Sequence, residues 1–321
     1  MSLESLLREK ADLRQGFAAR LLRPAIKLDR ALQAPPLSTN FRTVADAFHY
    51  LLRFYLQRLN PKARDSTWDA ERGVELIGLA PGPAKGKDVP TVSRHPKRLK
   101  AAGLLTDAKR QHRAYLAGGP VNEKLLFSAH HLAHFDVALR DGPDKVDWHA
   151  IGYLSPEDAN DLKALLELLD EDTFRTFRTC ILSPRLRAAD LVGGADPGFI
   201  LDDCLVRVMT AKEPRVDLRD YYGMVACYLL LGLGGVAHED GKTEQCPVTS
   251  IGIYFSRFGY LWKTRVADIM PKGALPELTR WFVEAACQAN PGARDILPTL
   301  KGPLAADLSP QDAASIAARK A

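Results

Sequence analysis

Residues 191–212 read LVGGADPGFILDDCLVRVMTAK. Gly193-Gly194 is a turn signal, Phe199–Leu201 a short apolar run, Asp202-Asp203 a turn pair and Leu205–Met209 a second apolar run. Both runs are too short for helices and rich in β-formers, so the acidic pair between them predicts a β-hairpin. A helical pattern follows at Tyr221–Leu233, and Gly234-Gly235 ends it. Strand, turn, strand, helix predicts an α/β core: a mixed sheet flanked by helices, with the hairpin Phe199–Met209 near its centre.

Working outward from that stretch, the N-terminal part to about Leu182 reads as helical. Ser2–Leu21 has the pattern of one polar amphipathic helix, and Pro24, Pro35 and Pro36 break the text after it. Thr43–Leu59 is a strong helix, with Thr43 as cap and an apolar stripe of Phe48, Leu51, Leu52, Tyr55 and Leu59. Ser66–Ile77, Val121–Arg140 and a short stretch at Asp172–Ile181 predict further helices, and Pro81–Asp88 a loop. Ser155-Pro156-Glu157-Asp158 is a helix start with cap, first-turn proline and acid. Beyond the hairpin, Ile251–Phe255 and Tyr260–Val266 predict paired strands, and Pro276–Gln288 a helix. The expected division is a mainly helical part over 1–182, an α/β core over 183–302 and an Ala-rich tail over 303–321.

Length and composition exclude several classes. A chain of 321 residues with 46% hydrophobic and 26% charged residues builds one or two globular domains with a sizeable core. Five cysteines, odd in number and without a CxxC pair, disfavour a disulfide framework or structural zinc and suit a reducing cytoplasm. The charged N-terminus does not read as a signal peptide, and the longest apolar stretch, Met224–Val236, is too short and too glycine-rich to span a membrane.

Net charge is +5, but the charge is concentrated. Between Lys85 and Arg113 stand nine bases, Lys85, Lys87, Arg94, Lys97, Arg98, Lys100, Lys109, Arg110 and Arg113, against Asp88 and Asp107. That excess exceeds the charge of the whole chain and is the footprint expected of a phosphate track, DNA being the natural partner. A solvated surface helix would carry the same charges. Tyr115 is the one aromatic beside them, which does not make a stacking platform for single strands. His130 and His134 share a helix face as zinc ligands do in HExxH, but no Glu follows His130, so a polar helix face is the expectation and no metal is assigned.

The hairpin stretch resembles a family of prokaryotic nuclease-like proteins with the PD-(D/E)XK, or restriction-endonuclease-like, core, whose corresponding text is VGGADADLIIDDTLIDIKT. AFHYLLRFYLQRLNP is similar to that family's N-terminal helix AFDYLLRF, with His49 at its Asp, and IGIYFSRFGYLW is similar to its last strand pair. The resemblance spans about Asn40 to Val266. It implies a site in which an Asp and an (Asp/Glu)-x-Lys hold Mg²⁺ and the attacking water. Those positions fall on Gly198, Arg207 and Met209, so all three groups are lost; a Gln of the family's helix falls on Met224. The implied protein is a pseudo-nuclease that binds DNA without cutting it, in a phage-defence or mobile-element setting, with Arg207 taking a phosphate by paired hydrogen bonds.

Two further readings stay open. The old cleft could dock a protein partner or a second copy of the chain. Alternatively, ligands could have migrated to Asp196, Asp203 and Lys212, which would make the chain an Mg²⁺-dependent endonuclease; otherwise no cofactor is expected. Lys212 lies an odd number of residues past the motif position, which turns a strand side chain to the other face. For Arg207 the competing expectation is a structural salt bridge to Asp196 or Asp203.

Overall fold

The computed structural model describes residues 2–77 apart from 23, 25, 27 and 29, then 96–213, 218–306 and 308. In chain order the helices are α1 (Leu3–Glu9), α2 (Ala11–Arg20), α3 (Phe41–Leu59), α4 (Asp69–Leu76), α5 (Pro96–Leu116), α6 (Glu123–Arg140), α7 (Pro156–Glu167), α8 (Glu171–Phe174), α9 (Leu218–Gly234), α10 (Leu275–Ala289) and α11 (Pro303–Ala306). The strands are β1 (Arg64–Asp65), β2 (Cys180–Leu182), β3 (Phe199–Leu201), β4 (Cys204–Met209), β5 (Val236–Ala237), β6 (Thr243–Glu244), β7 (Ser250–Phe255) and β8 (Tyr260–Arg265). Two compact units result: Met1–Arg30 with Thr176–Phe255 and Tyr260–Ala321, and Ala31–Arg175 with Ser256–Gly259.

The first unit holds a mixed sheet in the order β2-β3-β4-β7-β8, antiparallel except for the parallel pair β4/β7. The hairpin forms as its sequence predicts, and β4 is the middle strand of the five. Asp202 takes φ 51°, the left-handed conformation that a two-residue hairpin turn requires. Its carboxylate is fixed by backbone N–H donors from Phe177, Arg178 and Thr179 at 2.7–3.1 Å. Those donors hold its pKa below the usual carboxylate range although burial works the other way. Phe199, Ile200, Leu201, Cys204, Leu205 and Val206 are all buried; each such large apolar side chain stabilises by about 1.5–3 kcal/mol. A parallel pair needs a crossover, and α9 supplies it between β4 and β7, packing on both. Every residue of β7 is buried, as expected of a strand covered on both faces.

Three expectations for this unit change. Residues 2–21 form two helices, because Lys10 turns extended (φ −97°, ψ 100°). They are not a polar surface element: Leu3, Leu6, Leu7, Leu13 and Phe17 are buried, and both helices pack against α9. The helix expected at Asp172–Ile181 stops at Phe174, and Cys180–Leu182 pairs with β3 instead, the ladder outweighing a short helical pattern. The tail is described only through α11 and Leu308, and the rest of it lies outside the described residues.

The second unit is helical. α6 lies at its centre against α3, α4, α5 and α7, and its buried residues lie all round the helix rather than in one apolar stripe, with Ser128 and three histidines among them. α3 begins at Phe41 after Asn40, two residues before the Thr43 expected to cap it. α4 begins at Asp69, later than Ser66, because Arg64–Asp65 is extended. Ser155 caps α7 as predicted, accepting from the Asp158 N–H at 3.0 Å. Ser256–Gly259 brings Arg257 into this unit. Its guanidinium meets Asp161 in two parallel bonds, 2.7 and 3.0 Å, with both side chains fully buried.

Candidate functional site

Arg207 lies in the second half of β4, where the strand emerges from the core and its side chains become half-buried. Its side chain is 22% exposed and its Nη2 stands 3.5 Å from Glu4 Oε1 on α1. The guanidinium lies over α9 at Gly223: a Cβ there would come 3.1 Å from Nη1. Burial opposes the charge, but Asp196, Glu4 and Asp220 around it more than offset that and raise its pKa above the ordinary arginine value. One carboxylate, Glu4, thus pairs with the guanidinium, and Asp196 and Asp220 act on it through their fields. Cys227, below them on α9, donates to the Asp196 carbonyl at 3.8 Å; burial pushes its thiol pKa up, so it is a packed thiol and not a nucleophile.

Gly198 is required by the backbone path. It precedes β3 with φ 77°, and a Cβ on it would come 2.2 Å from the Val206 carbonyl oxygen. Only glycine fits, so an aspartate cannot be reinstated there without moving the backbone. The Gly198 N–H donates to Asp196 Oδ1 at 3.0 Å, which ties that carboxylate to the turn before β3. Met209, the last residue of β4, pairs with Phe255 in the ladder, half-buried.

The remaining candidates separate. Asp203 accepts from Lys263 Nζ at 2.8 Å and Thr249 Oγ1 at 2.6 Å, and those bonds hold its pKa below the carboxylate range. It stands four residues before Arg207, roughly 13 Å along the strand. The salt bridge of Arg207 to Asp203 is therefore replaced by one to Glu4, with Asp196 contributing through its field. Lys212 is exposed beyond the end of β4. Among the described residues, no group of three or more His, Cys, Asp or Glu is placed to hold a metal ion.

The basic segment divides in two. Lys85, Lys87, Arg94 and the loop Pro81–Asp88 lie outside the described residues. Lys97, Arg98, Lys100, Lys109, Arg110 and Arg113 sit on α5 in the second unit, three near each end. Lys97 Nζ lies over the Trp148 ring at 5.4 Å and Lys100 Nζ reaches the Ile151 carbonyl at 3.4 Å. Lys109 is committed to Glu71, and Arg110 pairs with Asp107 at 2.9 Å. Arg113 donates to the Lys109 carbonyl at 3.4 Å. At 100° per residue these six side chains circle most of the helix, so they do not form one stripe.

The three histidines of α6 are not a polar face. His130, His131 and His134 are 3%, 2% and 8% exposed. His131 Nε2 accepts from the Gly152 N–H at 2.9 Å, and His130 Nε2 stands 3.5 Å from Asp158. Asp158 is further satisfied by Ser38 and Asn40. Burial lowers all three pKa values, to about 4 for His131 and His134. All three are neutral core side chains: His130 and His131 make these polar contacts, and His134 packs its ring against His130 at 4.8 Å.

Glu4, Asp220 and Gly223 were not singled out in the sequence. Glu4 belongs to an ordinary-looking charged helix at the far end of the chain, and only the packing of α1 on α9 brings it to Arg207. No family model, curated protein or solved structure matches the chain. No described helix is long and apolar enough to cross a membrane.

Proposed function

We propose that the chain is a restriction-endonuclease-like protein with a degenerate site, which binds DNA and does not cleave it. The observation that carries this reading is Arg207. In a working site of that kind a divalent ion sits among carboxylates contributed by the hairpin and its neighbours. Here a guanidinium on the middle strand pairs with Glu4 and feels the fields of Asp196 and Asp220. A covalently held cation excludes the ion by repulsion, and its guanidinium takes a phosphate only by giving up Glu4. The mixed sheet with its β4–α9–β7 crossover fits the same reading.

The test uses a labelled DNA duplex with the purified chain, in EDTA and then in Mg²⁺ or Mn²⁺. Binding is expected in both, falling steeply with salt as phosphates release counterions, and no cleavage in either. Arg207→Ala is expected to weaken binding to all sequences alike. Cleavage that disappears on Asp196→Ala or Lys212→Ala would replace this reading with the migrated-ligand enzyme. Absence of duplex binding would move it to the docking of a protein partner.

A further inference from the structure

Beside the Arg207 cluster, α1, α2 and the first turn of α9 enclose an open groove of about 400 Å³ whose walls carry Arg8, Arg14, Gln15, Arg219 and Tyr222. That size lies within the about 300–1,000 Å³ typical of small-ligand sites. We propose that this groove seats a phosphate of a nucleic-acid backbone, next to the position Arg207 offers. The inference rests on the DNA-binding reading above and gives that reading a second, independently testable contact.

The chemistry of the walls selects an anion. The guanidinium groups of Arg8 and Arg14 and a carboxamide give several N–H donors, Arg219 adds positive charge, and guanidinium forks match phosphate oxygens in pairs. Arg14 is already set in place: its Nη1 donates to the carbonyls of Leu7 at 2.6 Å and Arg8 at 2.8 Å, across the break between α1 and α2. One nitrogen anchors the group, leaving its other N–H groups for a further acceptor, and a pre-ordered side chain loses little entropy on binding. The extended backbone at Lys10 is what lets α2 return toward α1 and bring Arg14 to Arg8. Tyr222 forms a rigid floor, its ring stacked on Phe17 at 5.4 Å. Arg8 is 66% exposed, and its one acidic contact, Glu9 at 3.8 Å, is itself half exposed; such a pair is worth little and yields readily to a phosphate.

Position argues for a backbone rather than a lone small anion. Glu4 and Arg8 are one turn apart on α1, and Arg219 and Tyr222 alternate along α9 with Asp220 and Gly223, which face Arg207. The groove and the Arg207 site therefore share α1 and α9, so a strand laid along those helices would meet both.

The experiment measures binding of a fluorescein-labelled duplex of about 20 base pairs to the full chain by anisotropy, over about 50–200 mM salt. Arg8→Glu and, separately, Arg219→Ala are compared with wild type, circular dichroism and Tm serving as fold controls; Lys97→Glu on α5 serves as comparison. Arg8→Glu is expected to weaken binding about tenfold and to reduce the slope of log K against log salt by about 1; Arg219→Ala is expected to weaken it about threefold. Unchanged binding in both groove variants, with wild-type chain binding, overturns the groove and leaves the DNA reading standing. No binding by wild type overturns both. A Tm rise with inorganic pyrophosphate that Arg8→Glu removes, without any duplex binding, likewise overturns the nucleic-acid occupant, since the groove would then take free phosphates alone.

Discussion

Removing either member of the Arg207–Glu4 pair separates a structural cation from a bystander. At 3.5 Å two unit charges attract by about 5 kcal/mol at an effective dielectric near 20. Glu4 is 40% exposed, and solvent screening reduces this to about 1–2 kcal/mol. Arg207→Ala removes more than that pair: it leaves Asp196, Glu4 and Asp220 facing one another and strips the packed stem of the side chain from Gly223. We expect a loss of about 2–3 kcal/mol, below the about 3–5 of a fully buried pair because the site is partly wet. Glu4→Gln alone should cost about 1 kcal/mol, and the double variant should show a coupling of about 1–2 kcal/mol by urea unfolding at neutral pH. The coupling should shrink in about 1 M salt. A coupling indistinguishable from zero, with Arg207→Ala as stable as wild type, would refute the view that this guanidinium is the counter-ion of the cluster.

Gly198→Asp places a side chain in a left-handed backbone against the Val206 carbonyl; we expect a loss of at least about 2 kcal/mol and no gain of Mg²⁺-dependent cleavage, even combined with Arg207→Asp and Met209→Lys, and a stable, cleaving triple variant would contradict the geometry. Burial and neighbouring His130 hold His131 near a pKa of about 4, while burial first and His130 next do the same for His134. Their unfolded value is 6.5, so the unfolded chain takes up protons first on acidification. Stability is complete above about pH 6.5 and falls toward pH 4, each histidine costing about 2 kcal/mol at pH 5. Asp136, raised by burial, acts in the opposite direction, so the measurement is a difference: His134→Asn should flatten the pH dependence of Tm between pH 7.5 and 5, and an unchanged profile would count against a neutral buried His134. Asp161→Asn strands the Arg257 charge in the core and should cost about 3–5 kcal/mol in urea unfolding, most of it recovered when Arg257→Met is added; a near-neutral single variant would show that Arg257 finds another partner.

The elements with the strongest local signals were legible in the sequence. The hairpin was, because an acidic turn between two short β-rich runs leaves no helical alternative, and Asp202 closes its own turn by collecting three backbone donors. The capped helix at Pro156 and the strand pair around Arg257 were legible for the same reason. Elements decided by tertiary contact were not. Cys180–Leu182 reads as the end of a helix until β3 offers it a ladder. Residues 2–21 carry enough charge to look solvent-exposed, yet six of their apolar residues are buried. The α6 histidines look polar one at a time, and only the central place of α6 makes them core residues.

The candidate site was legible on the hairpin stretch alone. Gly198, Arg207 and Met209 stand out because each departs from the acid, acid and base that the resemblance implies, but a departure shows what is missing and not what replaces it. The replacement is assembled from Glu4, Asp196 and Asp220, which share no spacing and meet only because α1 packs on α9 and α9 crosses over β4. Two changes then depend on each other. A glycine at 198 lets the chain pass against the Val206 carbonyl, one residue before Arg207, and Gly223 leaves room on α9 for the guanidinium that results. Restoring an acid at 207 would leave four carboxylates with no cation and no space at 198 for the fifth. On the reading proposed here, the loss of cleavage is built into the backbone path as well as into the side chains.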